Sequence, residues 1–220
     1  MKKKKVIIFA NGSVEKTDRF FPVVKDADHI ICADGGAVHS DAMNLLPNIL
    51  IGDMDSVPQQ ILERFRQHGV ITKKFPTAKD CTDLELALAH AIAYLGENGS
   101  GTIHIIGGLG GRWDMSLATV LLLARADIEQ QKIFIHGDRE VICALYPGKH
   151  TVYGEPGQRI SFLPLGGDIE DVTLTGFCYP ASKKDLKAGT SLAVSNSFIE
   201  KEGKIEFSCG IMLMILEKTI

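Results

Sequence analysis

A chain of 220 residues with 45% hydrophobic and 23% charged residues has the composition of a water-soluble globular protein, long enough for one large domain or a medium and a small one. Its formal net charge of −3 excludes the basic excess of a phosphate-tracking nucleic-acid surface, and no apolar run nears the roughly 18 residues that span a bilayer. Five scattered cysteines without a Cys-x-x-Cys pair, and seven dispersed histidines, exclude a structural zinc and point to a reduced, cytoplasmic protein. The lysines of Met1-Lys2-Lys3-Lys4-Lys5 lead into a first strand, because the apolar run behind them is too short for a signal peptide.

Six short apolar runs follow in order: Val6–Ala10, Ile30–Ala33, Ile49–Ile51, Val70–Phe75, Ile103–Ile106 and Ile133–Ile135. Near-continuous β-branched runs suit strands buried on both faces of a parallel sheet. Helical spacing separates them. Leu84, Ala87, Leu88, Ala91 and Leu95 share one face after Thr82, with Gly96 as a stop, and Leu117, Val120, Leu121 and Ala124 do so after Asp114. The alternation predicts an α/β doubly wound domain with a mostly parallel sheet of about six strands over residues 1–139. From 140 to 220 the runs shorten, alternate, and are broken by Gly and Pro, as at Arg159–Pro164 and Val172–Thr175. This predicts a smaller antiparallel β-sandwich, with a hairpin over Phe198–Phe207 and a closing strand over Ile211–Leu216.

Ligands of open α/β sheets bind beyond the carboxyl ends of the strands, and polar residues gather there. The strands end in Asn11-Gly12-Ser13, Asp34-Gly35-Gly36, Gly52-Asp53-Met54-Asp55-Ser56, Lys79-Asp80-Cys81-Thr82-Asp83 and Gly107-Gly108-Leu109-Gly110-Gly111-Arg112-Trp113-Asp114. In an extended segment Asp53 and Asp55 point to one side. Two adjacent carboxylates suit Mg²⁺, a hard cation that completes its shell with water and substrate phosphates. The plain alternatives are a polar turn at Asp53–Ser56, a helix cap at Thr82-Asp83 and a surface ion pair at Arg112. The glycine run is neither a Walker A loop, lacking Gly-Lys-Ser/Thr, nor a Rossmann fingerprint, since Trp113 replaces its third glycine. It still allows backbone N–H groups to approach phosphate, with Arg112 as a fork of donors.

These motifs, in this order and with Ser195-Asn196 in the second part, resemble the thiamine pyrophosphokinase family. The resemblance implies transfer of pyrophosphate from ATP to the hydroxyl of thiamine, with AMP as the other product. It also implies a homodimer with active sites between subunits, Mg²⁺ as cofactor, and metal ligands at Asp53, Asp55 and Asp83. Catalytic roles then fall to Asp53, Asp55, Asp80, Asp83 and Arg112. Nucleotide contacts fall to Asn11, Asp34, Gly35, Gly107, Gly108, Arg112 and Asp114, and thiamine contacts to Lys79, Asp80, Ser195 and Asn196. Met115 departs from the family pattern, which has histidine there. Two further readings are a sugar-nucleotide transferase, which also uses Asp-x-Asp with a divalent metal, and a thiamine- or nucleotide-binding protein without turnover.

Overall fold

The computed structural model describes residues 3–96, 101–125, 128 and 131–218. The chain divides into two units, Met1–Leu122 with Gln130–Asp138, and Leu123–Glu129 with Arg139–Ile220.

The first unit alternates strand and helix. Its elements are β1 (Lys4–Phe9), α1 (Phe21–Val24), β2 (His29–Ala33), α2 (Ala37–Ala42), β3 (Ile49–Gly52), α3 (Gln59–Gln67), β4 (Ile71–Lys74), α4 (Asp83–Leu95), β5 (Gly101–Ile106), α5 (Trp113–Leu121) and β6 (Lys132–His136). The six strands are parallel and lie in the order β6-β5-β1-β2-β3-β4. From β1 the chain builds outward through β2, β3 and β4, then returns to the other side of β1 for β5 and β6. Strand order therefore reverses between β1 and β5, the place where an open α/β sheet forms its ligand crevice.

Burial explains the pattern. In β1 the residues Val6, Ile7, Ile8 and Phe9 are wholly covered, as the continuous apolar run requires, and Phe20, Cys32, Leu50 and Phe65 pack with Ile7 and Phe9 into one core. The expectation of two-faced burial fails at β4, all four of whose residues are exposed. Among the described residues it pairs only with β3, and Lys73 and Lys74 give it the charged character that suits an edge. Helix α4 buries the predicted face, Leu84, Ala87, Leu88, Ala91 and Leu95, and ends at Gly96, whose φ is +83°.

The second unit is antiparallel. It comprises β7 (Glu140–Leu145), β8 (Gly148–Tyr153), β9 (Arg159–Pro164), β10 (Ile169–Thr175), β11 (Ala181–Leu186), β12 (Asn196–Ser197), β13 (Glu202–Phe207) and β14 (Met212–Glu217). One set of neighbours runs β12-β9-β14-β7 and the other β11-β10-β13-β8. Phe162 of β9 meets Phe177 edge-on at 5.4 Å, and Phe177 meets Phe198 at 5.1 Å, so aromatic rings from both sheets fill the sandwich. The predicted hairpin over Phe198–Phe207 does not form. β12 pairs with β9, whereas β13 pairs with β8 and β10 in the other sheet. The chain crosses between sheets here, and buried Phe198 pairs with Phe177 at the crossing.

Candidate active site

The ends of β1, β2, β3 and β5, with the N-termini of α4 and α5, surround a cleft of about 560 Å³. Asn11, Asp34, Asp53, Asp55, Lys79, Asp83, Gly107, Gly108 and Arg112 line it, as do Ser13, Thr82, Met115 and Ser116. Asp80, Gly35 and Asp114, expected here from the sequence, are not among its lining residues.

Three carboxylates converge. One oxygen each from Asp34, Asp53 and Asp83 lies within 4.8 Å of the others. Asp55, expected from the sequence beside Asp53, lines the same cleft but is not in this group of three. The premise of an extended Asp53–Asp55 segment fails because β3 ends at Gly52 and Met54 has φ +71°, so side chains two apart no longer share a face. Asp55 instead donates its backbone N–H to Asp53 Oδ1 at 3.2 Å and accepts from Ser56 Oγ at 2.9 Å. Asp34 is supplied by a 3₁₀ turn directly after β2 and sits at φ +44°; the residue is buried, and its Oδ1 has no hydrogen-bond partner among the described residues.

The floor of this cluster is Gly52. A Cβ there would lie 2.9 Å from Asp34 Cβ and 3.1 Å from Asp83 Oδ1, at a φ of +148°. Asp83 opens α4 behind a capping box: Glu85 N–H donates to Thr82 Oγ1 at 3.2 Å, and Thr82 N–H donates to Glu85 Oε2 at 2.9 Å. Cap and cleft residue thus adjoin. Burial raises the Asp83 carboxyl above its ordinary range, opposed by the Lys79 ammonium and reinforced by the charges of Asp34 and Asp53. The Asp55 backbone N–H, then the Thr77 hydroxyl, hold Asp53 below its ordinary value. Lys79 Nζ stands 3.1 Å from Asp83 Oδ1. Burial pulls its pKa down, but the bond to Asp83 and the nearby negative charges leave it raised.

The opposite wall comes from the glycine turn. Gly12 N–H donates to Gly107 O at 2.6 Å and Ser13 N–H to Leu109 O at 3.0 Å, which ties the end of β1 to the end of β5. Ser116 Oγ accepts from Gly110 N–H at 3.0 Å and donates to Arg112 O at 3.1 Å. Gly107 and Gly108 serve close packing as much as access, since a Cβ on Gly107 would stand 2.4 Å from Ala10 O. Gly35 lies under Asn11, whose Oδ1 would be 2.2 Å from an added Cβ. Arg112 and Asp114 form an exposed pair at 2.5 Å, in which hydrogen bonding raises the guanidinium and lowers the carboxyl.

Ser195 and Asn196 belong to the second unit. Asn196 is buried and occupied: its Oδ1 accepts from Tyr179 N–H and Ser197 N–H, both at 2.9 Å, and its Nδ2 donates to Tyr179 O at 2.8 Å. Ser195 is exposed at φ +57°, with its N–H donating to Ser161 Oγ at 3.0 Å.

Three hard carboxylates, of which Asp34 and Asp83 each carry a buried Oδ1 without a hydrogen-bond partner among the described residues, fit a divalent cation such as Mg²⁺. Beside them stand a guanidinium, an ammonium and a glycine turn at a helix start, the parts that anionic phosphates require. Fold and cleft together define an α/β enzyme domain of the phosphoryl-transfer class, joined to a β-sandwich. Residues 20–135 match the thiamin pyrophosphokinase catalytic domain, and residues 149–212 match the vitamin B1 binding domain of thiamin pyrophosphokinase. The thiamine pyrophosphokinase of Bacillus subtilis is 33% identical over 186 residues, covering 84% of this chain and 85% of its own length. A crystal structure of thiamine pyrophosphokinase from Bacillus subtilis superimposes with a TM-score of 0.86 at 29% identity, over 99% of this chain and 100% of that one. The fold is shared with yeast thiamin pyrophosphokinase, at a TM-score of 0.84 over 99% of this chain and 87% of that one, although only 16% of residues are identical. The chain belongs to the thiamine pyrophosphokinase family. Neither sugar-nucleotide transfer nor a binding protein without turnover is favoured by these likenesses.

Asp34, expected from the sequence as a nucleotide contact, converges on Asp53 and Asp83, and Ser116, which the sequence pattern did not single out, braces the glycine turn. The register of parallel β2 and β3, pairing Ala33 with Ile51, brings the two strand ends together. Nothing within either motif carries that register.

Proposed function

We infer that this protein transfers the terminal pyrophosphoryl group of ATP to the hydroxyl of thiamine, releasing thiamine diphosphate and AMP. The observation that carries this reading is the acid cluster with its unpartnered Asp34 oxygen, set in the crevice beside Arg112 and the glycine turn. In this reading Asp34, Asp53 and Asp83 hold Mg²⁺, with Asp55 at the edge of the same cleft. The bound ion neutralises charge on the phosphate oxygens and polarises them. Arg112 supplies donors to the triphosphate, and Ser116 fixes the turn that carries it. Asn11, Gly107 and Gly108 form the wall against which the nucleotide lies. Asp114 keeps Arg112 oriented through its bidentate pair.

Thiamine is cationic, and an acidic cleft attracts it. Ser195 is assigned to the thiamine side, with Asn196 bracing the loop, and Asp80, exposed on the turn before α4, to its approach. The protein is assigned to a homodimer with active sites between subunits, and to the cytoplasm, where its five free thiols stay reduced. Among the described residues no helix is long and apolar enough to cross a membrane.

The test is AMP formation from Mg-ATP with and without thiamine, with mass analysis of the product. Thiamine-dependent AMP and a product carrying two added phosphates are expected, and Asp83→Asn or Asp53→Asn should lower the rate by at least ~100-fold with an unchanged circular dichroism spectrum. ADP with thiamine monophosphate would refute the pyrophosphoryl step.

A further inference from the structure

The cation already present in the acid cluster belongs to the protein. Lys79 lies on the turn between β4 and α4, where its ammonium touches Asp83 Oδ1 at 3.1 Å and Pro76 O at 3.1 Å, and its charge acts on Asp53 as well. The lysine side chain is only 15% exposed, so this is no solvated surface pair. A divalent ion that bridges the Asp34, Asp53 and Asp83 oxygens would stand within a few ångströms of that ammonium. Like charges at such a distance repel strongly at the effective dielectric of a protein surface site.

We propose that Lys79 is a tethered counter-ion that competes with the divalent metal for the acid cluster, so that the metal loads tightly only together with a polyphosphate that draws the ammonium away. The competition rests on the reading that the cluster is the metal site. Its geometric basis is local. Among the described residues Asp34 Oδ1 and Asp83 Oδ1 are both buried without a well-formed hydrogen bond, but of the two Asp83 Oδ1 has the Lys79 ammonium beside it as an ion pair at 3.1 Å, so the half of the site clear of the tethered cation is the Asp34 side. Metal entry exchanges the Asp83–ammonium pair for an Asp83–metal bond. The freed Lys79 then needs another anion, and in a cleft also lined by Arg112 the triphosphate is that anion. Metal and nucleotide therefore each raise the affinity of the other, as linkage demands of a shared displacement.

The experiment measures Mn²⁺ binding by electron paramagnetic resonance, with the whole protein and no nucleotide, for the wild type, Lys79→Met, Lys79→Arg and Asp83→Asn. Removing the ammonium should tighten Mn²⁺ binding by tenfold or more, and Lys79→Arg, which retains the charge, should stay near the wild type. Adding a non-hydrolysable ATP analogue should tighten Mn²⁺ strongly in the wild type and much less in Lys79→Met, after correction for Mn²⁺ bound by free nucleotide. Equal or weaker Mn²⁺ binding in folded Lys79→Met overturns the proposal and leaves the metal assignment standing. Mn²⁺ binding indifferent to Asp83→Asn removes the metal site itself, and the competition with it.

Discussion

At Gly52 a hydrogen in place of a side chain leaves the space in which Asp34 and Asp83 come together with Asp53. The residue ends β3 at φ +148°, and a methyl group there would press on Asp34 Cβ at 2.9 Å and Asp83 Oδ1 at 3.1 Å. Both the backbone conformation and the space disfavour alanine, so Gly52→Ala should cost roughly 1–3 kcal/mol of stability. It should also weaken Mn²⁺ binding by at least ~10-fold, since ligands displaced by a few tenths of an ångström no longer meet one hard cation. Urea unfolding and a Mn²⁺ titration read the two effects; wild-type affinity in the variant would show that the cluster does not depend on this floor. Asp53, Asp83 and Arg112 were legible in the sequence because each lies directly after a strand or at a helix start. Asp55 lines the same cleft, but the alternation rule that set it beside Asp53 holds only while the chain stays extended, and Met54 at φ +71° ends that regime.

Helices α4 and α5 carry opposite lessons about periodicity. α4 was readable from end to end, with a cap at Thr82, an apolar face from Leu84 to Leu95 and a stop at Gly96. In α5 the spacing of Leu117, Val120 and Leu121 suggested an inward face, yet the helix buries Ser116 and Thr119 and leaves Leu117 and Leu121 about half exposed. The period tells which residues share a side of a helix; it does not tell which side turns inward. Here close approach chose the small residues, since Thr119 Cγ2 lies 3.0 Å from where a Cβ on Gly108 would stand, and Ser116 is bonded to Gly110. The capping box of α4 gives a prediction at this scale. Thr82→Ala removes the acceptor of the Glu85 N–H and should cost about 1 kcal/mol of stability. Because Asp83 is the first residue of the helix so capped, turnover should fall severalfold as well, while Thr82→Ser restores both. A loss of activity without any shift in the urea midpoint would separate the cleft role of Thr82 from its cap.

The stability of the molecule against acid follows from histidines the cleft does not use. His104 on β5 and His136 on β6 are joined, Nδ1 to Nε2, at 2.9 Å; His104 Nε2 meets Thr102 Oγ1 at 3.0 Å, and Phe134 stacks on the ring at 5.2 Å. Burial first, then the Lys5 charge, pushes His104 down to about 4 from an ordinary 6.5. His29 and His90 are lowered too, chiefly by burial. A group whose folded pKa is depressed binds its proton more readily in the unfolded chain, so its contribution is complete above about pH 6.5 and is lost as pH falls toward 4. For His104 that loss is on the order of 2 kcal/mol between pH 7 and pH 5, and the other two act in the same direction. The sole tryptophan, Trp113, lies in the same unit as these histidines, so its fluorescence during urea unfolding reports on the right part of the chain. Wild-type midpoints should fall steeply between pH 7 and pH 5. His104→Phe keeps a ring against Phe134 but carries no proton, and its midpoints should fall by markedly less over the same interval. An identical slope in the two proteins would mean that His104 takes up its proton in the folded chain as readily as in the unfolded one, and that its burial does not set the acid limit.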